Sequence, residues 1–111
     1  MSCPRYRRYF RHGFLPQIIA FEACVRLGSV TRAAEELSLA QPTVSGLLRR
    51  LSETVGEPLL VSRNGRMEPT EAGRNMARLC EEILDSLGRF DATRIGRKKP
   101  DLGAAPLPAF L

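Results

Sequence analysis

Between Ser29 and Leu51 the apolar residues Ala34, Leu37, Val44, Leu47, Leu48 and Leu51 fall at helical intervals, interrupted only by Ser38-Leu39-Ala40. Residues three, four or seven apart share one face of an α-helix, whereas a strand would alternate every second residue. The spacing therefore predicts two short helices joined by a tight turn, over roughly 31–38 and 42–55. Ser29 or Val30 leads into the first helix, and Thr31 is also able to cap it. Pro42 falls in the first turn of the second helix, where a missing N–H is not needed. Gly56 follows as a C-terminal stop. Two helices in this relation make a helix-turn-helix, which presents the start of its second helix outward.

The flanking elements follow from the same periods. Leu15, Ile18, Ile19, Phe21, Ala23, Val25 and Leu27 predict a preceding helix over about 15–27, stopped at Gly28, with Ile18, Phe21 and Val25 as its packing stripe. After Gly56, Pro58-Leu59-Leu60-Val61-Ser62-Arg63 changes period. Asn64-Gly65 is a two-residue hairpin signal, and Arg66-Met67-Glu68-Pro69 returns as a second short strand. Thr70 and Glu71 suit the start of a fourth helix, one as cap and the other beside the positive end of the dipole. Along it Ala72, Met76, Leu79, Ile83 and Leu87 are spaced 4, 3, 4 and 4, close to a heptad seam. A chain this small has little to bury that seam against, so self-association is expected, with Ala72 and Met76 able to pack back on the first helix. After Gly88 the periodic signal fades.

The expected fold is mainly α. A winged helix-turn-helix of three helices and a short β-hairpin wing spans 13–70, with the helix-turn-helix motif at about 30–49. A long linker or dimerisation helix follows over 71–92. Residues 1–12 are expected to form a disordered basic arm, and 93–111 a flexible tail.

With 111 residues there is room for one small domain plus tails. No run of about 18 apolar residues is present, so no membrane span is expected, and no apolar stretch backs the N-terminal arginines as a secretory signal would require. Cys3, Cys24 and Cys80 lack metal-ligand spacing and His12 is the only histidine, so neither a metal nor a cofactor is expected. A reducing, cytoplasmic setting fits best. The formal net charge of +5 sits mostly in the tails. Arg5, Arg7, Arg8 and Arg11 give +4, whereas from Phe14 to Asp91 nine Arg oppose eleven Asp or Glu, a balance of −2. Bulk charge is therefore a poor guide, and the placement of single arginines must carry any inference about nucleic acid. No pair of carboxylates in an apolar setting, no Gly-rich phosphate loop and no nucleophile–base pair suggests an enzyme.

The whole series resembles the N-terminal region of the LysR-type transcriptional regulators. The resemblance rests on Phe21, Gly28-Ser29-Val30, Ala33-Ala34, Leu37, Gln41-Pro42-Thr43-Val44-Ser45, Leu48, Leu51, Gly56, Pro58-Leu59-Leu60 and Thr70-Glu71-Ala72-Gly73. In order and spacing it covers about Leu15 to Leu87. It implies a bacterial, sequence-specific DNA-binding regulator that dimerises through its fourth helix. It also implies a much larger effector-binding domain, which nothing after residue 92 would form, so these residues are expected to be a DNA-binding portion that binds no small-molecule effector. Two positions depart from the family pattern. Ser62 stands where an arginine is usual, with Arg63 next to it, and Gly46 stands where a long polar or basic side chain is frequent.

The expected contacts follow. Gln41, Pro42, Thr43 and Ser45, at the start of the third helix, would lie nearest base edges in the major groove. Gln can pair bidentately with adenine, and Thr or Pro can meet a thymine methyl. Arg49 and Arg50, further along, would grip phosphate. Backbone N–H groups around Thr31 and Arg32 suit another phosphate. Arg63 or Arg66 on the wing would reach the adjacent backbone or minor groove. A homodimer formed through Ala72, Met76, Leu79, Ile83 and Leu87 would read an inverted-repeat promoter site on double-stranded DNA. The competing expectation is a truncated winged-helix protein acting through protein–protein interaction or by heterodimerising with a full-length regulator. The small polar start of the third helix and Arg49-Arg50 favour DNA.

Overall fold

A computed structural model describes Tyr9 and residues 13–95, Ile95 by its backbone alone. Helices α1 (Phe14–Leu27), α2 (Val30–Leu37) and α3 (Gln41–Val55) are followed by strands β1 (Leu60–Arg63) and β2 (Arg66–Pro69) and by helix α4 (Glu71–Ile95). This is the expected winged helix-turn-helix with a long following helix. The expectations for residues 1–12 and 93–111 lie outside the described residues except at Tyr9, whose ring meets Phe14 edge-on at 4.9 Å, and at 93–95.

Helix α1 is the central element, because it is buried on two sides. Ile18 and Phe21 join Leu51, Leu59, Met76 and Cys80 in one apolar cluster, with Val25 half-buried at its edge. Ala20, Ala23 and Cys24 join Ala33, Ala34 and Val44 in a second. The stripe expected from periodicity accounts for the first cluster alone. The second is built from small side chains, which let α2 approach α1 closely but add little to a hydrophobic pattern. Gln17 is buried as well, at 1% exposure, a position that apolar periodicity does not reveal.

Local chemistry sets the ends of the helix pair. Ser29 has extended backbone, and its hydroxyl accepts the Arg32 N–H at 3.1 Å, so the cap of α2 is Ser29. The turn into α3 passes through Ser38 in the left-handed region, at φ 57°, with its N–H bonded to the carbonyls of Ala34 and Glu35. Pro42 stands in the first turn of α3, as expected.

The hairpin pairs Leu60 with Pro69 and Arg63 with Arg66. Asn64 and Gly65 both take positive φ, at 53° and 75°, as a type I′ turn demands. A hydrogen bond of 3.0 Å from the Met67 N–H to the Gly28 carbonyl ties the wing to the body, and one of 3.0 Å from the Thr70 N–H to the Leu59 carbonyl closes the base of the hairpin. The Thr70 hydroxyl donates to the Pro58 carbonyl at 2.8 Å and accepts the Gly73 N–H at 3.0 Å, which caps α4.

Helix α4 continues to Ile95, three residues past the expected end at 92. Its last turns bury nothing within this chain, and beyond Gly88 only Phe90 continues the apolar spacing. Contacts between neighbours on the helix hold them instead: Arg89 to the Ser86 hydroxyl at 2.9 Å, Thr93 to the Phe90 carbonyl at 2.6 Å, and Arg94 over the Phe90 ring at 5.7 Å. Among the described residues no helix is long and apolar enough to cross a membrane, and no cluster of His, Cys, Asp or Glu is placed to hold a metal ion.

Two glycines of α4 have opposite expected responses to alanine. A Cβ at Gly73 would overlap the Leu59 backbone carbonyl, whereas nothing lies near one at Gly88. Gly73→Ala is expected to cost about 1–3 kcal/mol and Gly88→Ala to stabilise by about 0.5–1 kcal/mol, as read from urea unfolding. Burial in the apolar cluster, with Glu22 and Glu81 adding to the effect, pushes the Cys80 thiol up to about 12 from the ordinary 9.0. The folded thiol thus keeps its proton where the unfolded one has lost it. Stability present below pH 9 is expected to fall as pH rises from about 9 towards 12, and thermal unfolding of Cys80→Ala should lack that part of the slope.

Candidate nucleic-acid interface

One face of α3 is fixed by the core, where Val44 and Leu51 are buried and Leu47 and Leu48 half-buried. The opposite face is therefore committed to the exterior, and there Gln41, Pro42, Thr43, Ser45, Arg49 and Arg50 are all exposed. The first turn of α3 also meets α2. The Thr31 hydroxyl donates to Gln41 Oε1 at 3.4 Å, so two of the expected contact residues are brought together, with the Gln41 NH₂ remaining as donor.

At the start of α2 the capping bond to Ser29 occupies the Arg32 amide. By helix geometry the donors left for an anion are the amides of Val30 and Thr31. The expectation of a phosphate site around Thr31 and Arg32 thus shifts by one residue for the backbone, while the Arg32 side chain is exposed beside it.

The wing arginines are held differently. Arg63 lies 3.6 Å from Glu68 with both side chains largely exposed, an arrangement of little energetic consequence. The Arg66 head lies across Gly28, where a Cβ would overlap its guanidinium atoms. Gly28 therefore does more than end α1 at φ 69°: it leaves room for Arg66 to lie against the turn that precedes α2. In sequence, Gly28 reads only as a helix stop, and nothing links it to residue 66.

The arginines on this side differ in how they are held. Among the described residues, the side chains of Arg32, Arg49, Arg50 and Arg66 make no ion pair or hydrogen bond, whereas Arg26, Arg63, Arg74, Arg78 and Arg89 do. Arg26 bridges Glu22 on α1, at 2.9 Å, and Glu36 on α2. The two carboxylates hold its guanidinium charged far above the ordinary range, and the guanidinium in turn holds the Glu36 carboxyl below its own. At the C-terminal half of α3, Arg49 lines a shallow groove together with Ser52, Glu53, Glu57, Pro58 and Leu60, so an arginine and two carboxylates share its walls.

The expected seam of α4 divides. Ala72, Met76 and Ile83 pack on the first apolar cluster. Leu79 and Leu87 stay exposed at 40% and 48%, joined by Phe90 at 60%. Phe90 was not among the expected residues, although its spacing of three from Leu87 continues the same face.

Comparisons with known proteins agree with this geometry. The family of bacterial regulatory helix-turn-helix proteins designated lysR matches residues 15–74. The chain is 39% identical over 100 residues to a RuBisCO operon transcriptional regulator of Acidithiobacillus ferrooxidans, covering 87% of this chain and 32% of that protein. It is 37% identical over 100 residues to the HTH-type transcriptional activator CmpR of Synechocystis sp., covering 87% and 33%. The chain thus spans about one third of the length of these curated relatives. Among solved structures, BenM DBD with benA site 1 DNA superposes at a TM-score of 0.66, with 26% identity over 71% of this chain and 92% of that one. The CbnR DBD–DNA complex gives 0.65, with 28% identity over 72% and 93%.

Proposed function

The chain belongs to the lysR family of bacterial regulatory helix-turn-helix proteins, and from that membership we propose that it binds double-stranded DNA sequence-specifically, as the DNA-binding portion of a transcriptional regulator. The observation that carries this is the joint exposure of the α3 start and of four arginines around it whose side chains are held by no ion pair or hydrogen bond. A surface on which the side chains of Arg32, Arg49, Arg50 and Arg66 make no ion pair or hydrogen bond among the described residues is matched to a polyanion. The likeness to BenM DBD and CbnR DBD, both solved with DNA, supports the same ligand.

In the proposed complex α3 enters the major groove with Gln41, Pro42, Thr43 and Ser45 toward the bases. The Thr31 hydroxyl occupies one lone pair of Gln41 Oε1, which orients the amide for a bidentate contact to adenine. The Val30 and Thr31 amides and the Arg32 side chain meet one phosphate, and Arg50 another. The wing brings Arg66, and beyond it Arg63, to the flanking backbone or minor groove. The chain acts by binding and not as an enzyme, in the bacterial cytoplasm. Two copies joined through Leu79, Leu87 and Phe90 would place two α3 helices on a two-fold axis and read an inverted repeat in a promoter.

Fluorescence anisotropy against genomic promoter fragments is expected to show sequence-preferring binding that weakens with salt. Gln41→Ala and Thr43→Ala should each narrow the gap between preferred and unrelated DNA by roughly 5- to 100-fold, and a preference untouched by both would refute the placement of α3. Sedimentation should give a dimer at micromolar concentration, converted to monomer by the double change Leu79→Asp, Leu87→Asp with helicity retained. A wild-type monomer at high concentration would rule out pairing through α4.

A further inference from the structure

Resting on that DNA-binding function, we propose that Arg49 reads a base at the centre of the half-site, and that Gly46 is the residue that lets it. The starting point is what lies over Gly46. A Cβ built there meets a single heavy atom within 4 Å, the Nη2 of Arg49 at 4.0 Å. Long helical side chains lean toward the N-terminus and cover the residue three positions earlier. The Arg49 head therefore occupies the patch that a side chain at position 46 would otherwise fill.

That patch is the outermost line of the helix. At about 100° per residue, position 46 points roughly opposite the buried Val44–Leu51 stripe, in line with Pro42 one turn earlier. A helix lying in the major groove brings this line deepest. Arg49 and Arg50 flank that line, about 60° to one side and about 40° to the other, and of the two it is the Arg49 head that lies over position 46.

Two further observations bear on Arg49. Glu53, one turn later, is the natural i,i+4 partner, yet no ion pair joins them, and the guanidinium keeps all its donors. Gly46 itself answers to no steric need: its backbone is helical and the surrounding space is open. A glycine inside a helix costs about 1 kcal/mol relative to alanine; a Cβ here would touch the Arg49 head at ordinary contact distance, and a longer side chain would compete with it for the patch. Arginine's planar fork matches O6 and N7 of guanine, so the base class expected is a G·C pair.

The test selects bound sequences from a randomised double-stranded DNA pool with the wild-type chain, then measures anisotropy on the selected site and its single-base variants. Arg49→Ala is expected to weaken the selected site at least tenfold and to abolish a G·C preference at one position per half-site, with the other positions unchanged. Arg49→Lys, which keeps the charge, should lose most of that same preference. Gly46→Leu should lose it too while raising helix stability, because it fills the patch with Arg49 still present. A uniform loss across all sequences on Arg49→Ala, with the salt slope reduced by about 1, would make Arg49 a phosphate contact and overturn the proposal. An unchanged profile for Gly46→Leu would overturn the role of Gly46. If the wild-type chain selects no sequence at all, the DNA-binding function fails first and this inference with it, a result distinct from either of the others.

Discussion

Burial of α1 on two sides is the constraint on which the remaining geometry depends. One side takes the large residues Ile18 and Phe21 against Leu51, Leu59, Met76 and Cys80. The other takes Ala20, Ala23 and Cys24 against Ala33, Ala34 and Val44. Because α3 contributes to both clusters, through Leu51 and Val44, its rotation about its own axis is fixed. A different rotation would expose one of these residues and bury a polar one. The outward presentation of Gln41, Thr43, Ser45 and the arginines is thus a consequence of packing behind them.

The same packing explains what could be read from the order of residues and what could not. The period of Val44, Leu47, Leu48 and Leu51 locates α3 because large apolar side chains mark its inner face. Asn64-Gly65 locates the hairpin because few residue pairs accept two positive φ angles in succession. Thr70 and Pro42 mark helix starts through their own hydrogen-bonding chemistry. By contrast, the small-residue face of α1 and the buried Gln17 carry no periodic signal, since tertiary contacts decide them, and the break at Ser38-Leu39-Ala40 places a turn without revealing that Ser38 is left-handed. The last turns of α4 escaped for the opposite reason, being helical with nothing to bury.

At the candidate interface the outward face of the α3 start was legible, and the relations among its residues were not. Thr31 and Gln41 are ten positions apart, and only the folded turn brings the hydroxyl to the amide. Arg66 lies across Gly28, 38 positions earlier. Arg49 and Gly46 are close enough in sequence to be paired by helix geometry. Yet side-chain direction, and not spacing alone, brings the head of the arginine over the glycine.

The hydrogen bond from the Met67 N–H to the Gly28 carbonyl, together with Arg66 lying over the same glycine, joins the wing to the turn from which α2 departs. Helix α2 is in turn joined to α3 through a turn of only three residues. The wing and the outward helix are therefore linked through the body at two short connections. Such a body works as a gauge of fixed width: the distance between what the helix touches and what the wing touches is a constant of the fold. A ligand with a different spacing must deform to fit, so part of the selectivity of this surface would be exerted through the stiffness of the partner.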